Sequence, residues 1–458
     1  MNQLKKFFKK ENNKNILMVI MLIIMIISII VSIIAITGNG QEKQPEYGAW
    51  NPADTVQPVT DDESTVIRTE DTDTQEIPND TIVIWDIPGN DILINAIEEF
   101  KSKRNNVEII VEHSGLMNSQ QFESEIAVGR GPDIIYLDQV YSVSMGEQGL
   151  IKDLNEFGAN KLSNQFVKSA FNSVSYNKKQ YALPFDSNTI ALMYNKTAFK
   201  DANAKVPTTY KELIDASNKL KKKFGGTYSA YTAPFYKQEH KNWLVFNYFF
   251  YLWRMGGDVL SDDLKSAAFN NESGIEALEM IIDMKNKGII DAEYREEEFF
   301  DGRGGMIDNG TWQMNNITGN TKKAEIGIAL LPTLKKGVKP YSGLGLNCYA
   351  IAKSSKNPQL AYDFLEFYCT SSKYQSDFSK LRNLIPTLKQ AQNDNFYNTP
   401  EWETMIKQLD NSKYRPSVPN WEKIEEIIAE AVILSLNGDY KPKDALNRAA
   451  QNVNKELK

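Results

Sequence analysis

The sequence predicts an α/β protein whose chain passes between two lobes, set behind one transmembrane helix. Three observations lead there. From Thr81 onward, short apolar stretches alternate with amphipathic ones, the pattern of a parallel sheet with helices on its faces. Two stretches, YALPFDSNTIALMYNK at 181–196 and SGLGLNCYAIA at 342–352, join polar or glycine-rich chain directly to an apolar strand. Chain that leaves one compact unit for another has this form, although an ordinary loop before a buried strand fits 181–196 as well. Third, residues 16–36 are apolar throughout apart from Ser28 and Ser32.

That apolar run, at about 21 residues, makes roughly 31 Å of helix, enough for the hydrocarbon core of a bilayer. Lysines precede it and acidic residues follow it, so residues 1–15 are expected in the cytoplasm and the remainder outside. A cleavable signal peptide competes, but its apolar region is shorter and ends in small residues, whereas Ile33 stands three before a cut after Ala35. Residues 37–80 are rich in Thr, Asp, Glu, Gln and Pro and poor in large apolar side chains. Such chain cannot bury enough surface to offset its ordering entropy, and a disordered acidic linker is expected.

The 458 residues allow two or three domains, and a 41% hydrophobic, 24% charged composition is that of a globular body. A net charge of -7 argues against a nucleic-acid partner, which needs a concentrated basic face. His113 and His240 are the only histidines, which disfavours a histidine triad or metal cluster. Cys348 and Cys369 lack zinc spacing; they are two semi-buried thiols or one disulfide.

Strands are expected at 81–85, 107–111 and 134–137, with helices at 91–104 and 120–128 between them. Ligands of parallel sheets lie beyond the C-terminal strand ends, which selects Trp85-Asp86 and Asp138-Gln139. Pro184 to Asn188 is short and polar, placing Asp186, Ser187 and Asn188 at a mouth between lobes before the strand at 190–194. The helix at 209–224 opens on a capping pattern, Thr208/Thr209 with Glu212. Residues 242–255 carry an aromatic stripe that includes Trp253, a pattern more common in cores than in ligand boxes. A further helix is expected at 271–287. Residues 299–312 should be a strand feeding a turn and an exposed Trp312, and 326–332 a strand ending at proline. Gly343 and Gly345 supply hinge torsions before a strand at 346–351. Residues 382–387 form a loop, and helices follow at 357–370, 421–437 and 442–457. No P-loop, GxSxG or HExxH pattern occurs, so no cofactor is implied.

From Thr81 to the end the chain resembles the extracellular solute-binding proteins of ABC importers, the sugar-binding family that includes the maltose-binding protein. The resemblance is carried by short pieces in order: Gly131-Pro132-Asp133, Tyr194-Asn195-Lys196, Pro207-Thr208-Thr209, Gly256-Gly257-Asp258, Gly310-Thr311-Trp312, Leu331-Pro332, Ile385-Pro386-Thr387 and Asp444-Ala445-Leu446 among them. It implies a type II periplasmic-binding-protein-like fold with a hinge and an interlobe cleft. Lobe one would be about 81–187 with 346–390, and lobe two about 190–341 with 391–458. It also implies a monomer that binds carbohydrate, performs no chemistry on it, and delivers it to permease subunits in the membrane of a Gram-positive bacterium. The chain departs from the family in front, where no lipidated cysteine follows the apolar run.

A sugar presents apolar C–H faces and rings of hydroxyls, met by aromatic planes and by carboxylates or amides. Trp85, Asp138 and Asp186 from lobe one and Trp312 and Trp421 from lobe two fit that demand, with Trp253 behind them. The resemblance places Trp312 and Trp421 where family members stack sugar rings. Core packing and helix capping are the competing roles. Ser187, Asn188, Gly343 and Gly345 are the hinge candidates, and Arg382 stands near the cleft or on the surface. Three other functions remain open: a glycoside hydrolase, whose two carboxylates would have to face each other across the cleft; the same fold holding a metal ion, polyamine or peptide; and a tethered sensor.

Overall fold

The structure, a computed structural model, describes residues 80–104, 106–225, 228–233, 241–290, 295–319 and 322–458. The expected membrane span at 16–36 and the linker up to residue 79 lie outside the described residues. No helix among the described residues is long and apolar enough to cross a membrane.

Strand β1 (Asp80–Asp86) takes in the last residue assigned to the linker. It runs parallel to β2 (Val107–His113) on one side and β3 (Ile134–Asp138) on the other. Helix α1 (Asp91–Ser102) starts where the Asn90 side chain accepts the Leu93 amide, and buries Leu93, Ala96, Ile97 and Phe100. Helix α2 (Ser119–Ala127) has a full capping box between Asn118 and Gln121. Asp138 ends β3 and caps α3 (Gln139–Glu147). A small hairpin, β4 (Ser175–Tyr176) with β5 (Lys179–Gln180), precedes β6 (Leu183–Asn195).

The second half of the chain opens with α4 (Tyr210–Phe224), capped by Thr209 and Glu212 as expected, followed by α5 (Lys241–Arg254) and α6 (Glu272–Asn286). Every residue of α5 from Leu244 to Arg254 is buried, so its aromatics are not one stripe but a helix enclosed on all sides. The strand expected from residue 299 starts later, at β7 (Met306–Gly310), because Phe299–Arg303 winds as a wide helical turn with Gly302 at φ 85. Then come β8 (Ile326–Ala329), β9 (Ser342–Ile351), α7 (Pro358–Cys369) and α8 (Ser372–Arg382). The expected loop at 382–387 contains a short strand, β10 (Ile385–Pro386). Helix α9 (Pro400–Leu409), β11 (Ser412–Tyr414), α10 (Trp421–Asn437) and α11 (Pro442–Glu456) complete the chain.

The strands of the first half run in the order β10-β6-β9-β3-β1-β2. β6 is the member that leaves it. Its first residues pair antiparallel with β9 and β10, with a bulge between Pro184 and Asp186, and from Ile190 onward it pairs with β7 and β8. The polar stretch expected to be a short connection is therefore strand throughout, and Pro184 is tolerated because it sits at the bulge. β11 lies parallel to the start of β9, Ser412 opposite Ser342. It is a third strand at the same junction, too short and too polar for periodicity to reveal. Cys348 and Cys369 are both free and buried.

Asn188 pairs with Gly345 and Ser187 with Leu346, and the Ser187 hydroxyl donates to the Ile385 carbonyl at 2.9 Å. Neither Gly343 nor Gly345 has a positive φ. Space requires the glycines, not torsion. A Cβ on Gly343 would stand 2.3 Å from the Phe246 and Phe250 rings, and one on Gly345 would stand 2.3 Å from Asn188 Oδ1. Gly343→Ala is expected to cost about 1–3 kcal/mol through overpacking against two rings fixed in a buried helix. Urea denaturation measures it, and an unchanged midpoint would show that the rings have room to move.

Candidate ligand-binding site

The strand-end rule leads to Asp138, and the structure shows what it holds. One carboxylate oxygen accepts the Val140 amide at 3.2 Å, and both accept from Arg415 Nη2, at 3.0 and 2.9 Å. Arg415 follows β11 directly and is almost fully buried. Its guanidinium lies 4.8 Å from the centre of the Phe246 ring on α5, and its Nη1 stands 3.7 Å from Glu425 on α10. One arginine thus touches β3 of the first half and two helices of the second. Gln139 adds to the junction by donating to the Ser173 carbonyl at 3.2 Å and to Ser417 Oγ at 3.3 Å. At its edge the Ser119 hydroxyl, at the start of α2, donates to Glu422 in the first turn of α10 at 2.6 Å.

Trp421 and Trp312 belong to the same neighbourhood. Trp421 opens α10, is wholly buried, and its ring centre lies 6.0 Å from Phe249. Trp312, expected to be exposed, is enclosed at 4% exposure. It meets Trp243 edge-on at 5.9 Å, and Trp243 in turn lies 6.2 Å from Phe246. Gly310 permits this pose, since a Cβ there would fall 2.1 Å from the Trp312 ring.

The other three candidates are engaged elsewhere. Trp85 donates to Glu112 at 2.7 Å and packs edge-on to Phe122. Trp253 donates to Asp258 at 3.1 Å from within the α5 core. Asp186 is not at an open mouth: it is fully enclosed, accepting from Tyr136 at 2.5 Å and from Asn347 at 2.9 Å. Arg382 donates to the Pro88 carbonyl at 2.6 Å.

Four buried polar atoms around Arg415 have no hydrogen-bond partner among the described residues: Gln139 Oε1, Arg415 Nε, Trp421 Nε1 and Glu425 Oε1. Each such atom costs about 1–3 kcal/mol when left dry, so a cluster of them marks a place where something else supplies the partners. Burial pushes the Glu425 carboxyl up to about 7; Arg415 works against that shift and Asp138 adds to it. Two surface cavities, about 330 and 680 Å³, are lined by other residues, such as Asn95 with Tyr374 and Arg104 with Phe157. No cluster of His, Cys, Asp and Glu suited to a metal ion occurs among the described residues.

A sequence profile of the bacterial extracellular solute-binding proteins matches residues 95–405. The chain belongs to that family. Relatives of this solute-binding protein include the maltotriose-binding protein of Pyrococcus abyssi, 25% identical over 326 residues, 68% of each chain. The galactooligosaccharide-binding protein of Bacillus subtilis is 22% identical over 387 residues, 82% of this chain and 89% of its own. Among solved structures, the cyclic α-maltosyl-1,6-maltose binding protein of Arthrobacter globiformis superposes with a TM-score of 0.72 at 23% identity, covering 82% of this chain and 98% of that one. A solute-binding protein of Thermotoga lettingae bound with α-D-tagatose gives 0.69 at 25% identity, covering 83% and 100%. The mixed α/β fold of these proteins is the fold found here, and they are binding proteins and not enzymes.

The strand-end rule selected Gln139 together with Asp138, whereas sequence reasoning missed Arg415 and Glu425; Arg415 stands alone in SKYRPSVP with no periodicity around it.

Burial raises four carboxyls in the solute-binding protein: Asp86 and Asp308 to about 6, Asp186 and Glu425 to about 7. A carboxyl raised on folding binds its proton more tightly in the folded state. The stability it contributes is complete below the ordinary carboxylate value, about 4, and is lost as pH rises through 6 to 7. The thermal midpoint is therefore expected to fall between about pH 4 and 7. Asp186→Asn keeps an acceptor for Tyr136 and should flatten that fall. An equal slope in the variant would remove Asp186 from the account.

Proposed function

We propose that this solute-binding protein takes a carbohydrate of oligosaccharide size at the Arg415 junction and delivers it to the permease subunits of an ABC importer. The observation that supports the reading most directly is the set of four unpartnered, buried polar atoms beside the Trp421 ring and the Trp243–Trp312 pair. Sugars supply what such a site lacks. Their hydroxyls both donate and accept, meeting an indole N–H and a carboxylate oxygen alike, while their C–H faces cover aromatic planes. The printed names of relatives point the same way, to maltotriose and galactooligosaccharide.

In this reading the lobes are residues 81–187 with 346–390 and 190–341 with 391–458, joined at β6, β9 and β11. Ligand contacts from both sides exist only when the lobes are together, so binding shifts the closed population by the difference in affinity between the two states. Residues 16–36 would anchor the protein in the membrane with the binding lobes outside. A relative in Streptococcus pneumoniae is named as a lipoprotein; here the only cysteines are Cys348 and Cys369, both buried in the folded body, so an apolar helix would replace the lipid.

The test uses the full chain in a detergent without a sugar headgroup, followed by tryptophan fluorescence and thermal unfolding against mono- and oligosaccharides. Ligand at 100 times its dissociation constant should add about 2.7 kcal/mol of stability. Trp421→Phe and Trp312→Phe, which keep a ring but lose the indole face and its N–H, should each weaken binding by about tenfold. A folded protein that answers to no sugar would overturn the proposal.

A further inference from the structure

We infer that the ligand carries a basic nitrogen, an amino-sugar unit or an oligomer of such units, held by the Glu425 carboxylate. This rests on the carbohydrate reading above and narrows it.

The charges at the junction do not balance. Asp138 and Glu425 both stand against one guanidinium, that of Arg415. Arg415 is committed to Asp138, with a single nitrogen serving both carboxylate oxygens. Its other terminal nitrogen is 3.7 Å from Glu425, beyond hydrogen-bond reach, and Arg415 Nε has no partner among the described residues. Glu422 is also occupied, accepting the Ser119 amide at 3.2 Å and the Ser119 hydroxyl at 2.6 Å. Glu425 is what remains, 2% exposed, with its Oε1 bonded to nothing among the described residues.

A buried carboxylate held only at a distance needs a donor, and a charged donor serves it best, because it adds the attraction of opposite charges to the hydrogen bond that a neutral hydroxyl would also make. Neutral hydroxyls would satisfy the oxygen without drawing the carboxyl into its ionised form. An ammonium does both. Trp421, one helical turn before Glu425 on α10, adds an aromatic face beside which a cation is stabilised rather than repelled. The charged and titratable groups around Glu425 are Asp138 and Tyr141 from the first half, Arg415 after β11, and Glu422 on its own helix. Burial keeps Glu425 partly protonated near neutrality, so an ammonium entering the junction draws it into the ionised form.

The experiment is calorimetric titration of the full chain in the same detergent at about pH 7, where Glu425 is about half ionised and an amine is still largely protonated. The probes are the di- and trisaccharide of β-1,4-linked glucosamine, their N-acetylated counterparts, and maltose and maltotriose. The free amines are expected to bind about tenfold tighter than neutral sugars of the same length. Glu425→Gln should bring the two affinities together, while Glu425→Asp, which keeps the charge, should retain the preference. Neutral sugars that bind as well as the amines would overturn this inference and leave the carbohydrate reading standing. A preference for amines that survives in Glu425→Gln would remove Glu425 from the role. No binding by any of the six probes would take down both proposals.

Discussion

The structure depends on one strand being shared. β6 gives its first residues to the sheet of the first half and its last to β7 and β8. The same chain must satisfy two sets of ladder partners, so the register of one half fixes that of the other. The Pro184 bulge takes up the mismatch where the strand turns from one set to the next. β9 and β11 run beside it, and their crowding against Phe246, Phe250 and Asn188 explains why glycine occupies positions 343 and 345.

Around that junction the protein has placed charge where it is expensive. Removing ions from water costs several kcal/mol each, and mutual attraction recovers it only when the geometry is good and the remaining lone pairs are bonded. Asp138 meets that condition, with both oxygens accepting from Arg415 Nη2 and one also from the Val140 amide. Glu425 does not. Asp186, equally buried, is satisfied on both oxygens by Tyr136 and Asn347 and forms part of the framework. The contrast between these two carboxyls separates a group bonded on both oxygens from one with an unpartnered oxygen among the described residues, and burial alone would not have told them apart.

Much of this was legible in the chain. Continuous apolar runs such as TIVIW announce strands buried on both faces, and the Thr209–Glu212 pattern announces its helix, because in both cases neighbouring residues determine the outcome. The strand-end rule singled out Asp138, which the structure pairs with Arg415, and the resemblance singled out Trp312 and Trp421. What could not be read depends on distant partners. Arg415 is an isolated cation in a polar stretch, and its importance comes from Asp138, 277 residues away. Asp186 looked like a ligand group because it is polar, while its real partners, Tyr136 and Asn347, lie on two other strands. Trp312 looked exposed because a glycine precedes it by two, yet that glycine is what lets the ring lie flat against the backbone.

The two cysteines have a consequence for how the molecule is made. Cys348 lies on β9 and Cys369 at the end of α7, each buried and neither cross-linked. Nothing covalent ties the halves together beyond the backbone itself. Folding outside the cell then asks for no thiol oxidant and no disulfide shuffling, and a reducing environment leaves the crossing strands intact. No disulfide limits relative motion of the halves, so the contacts between them are all non-covalent.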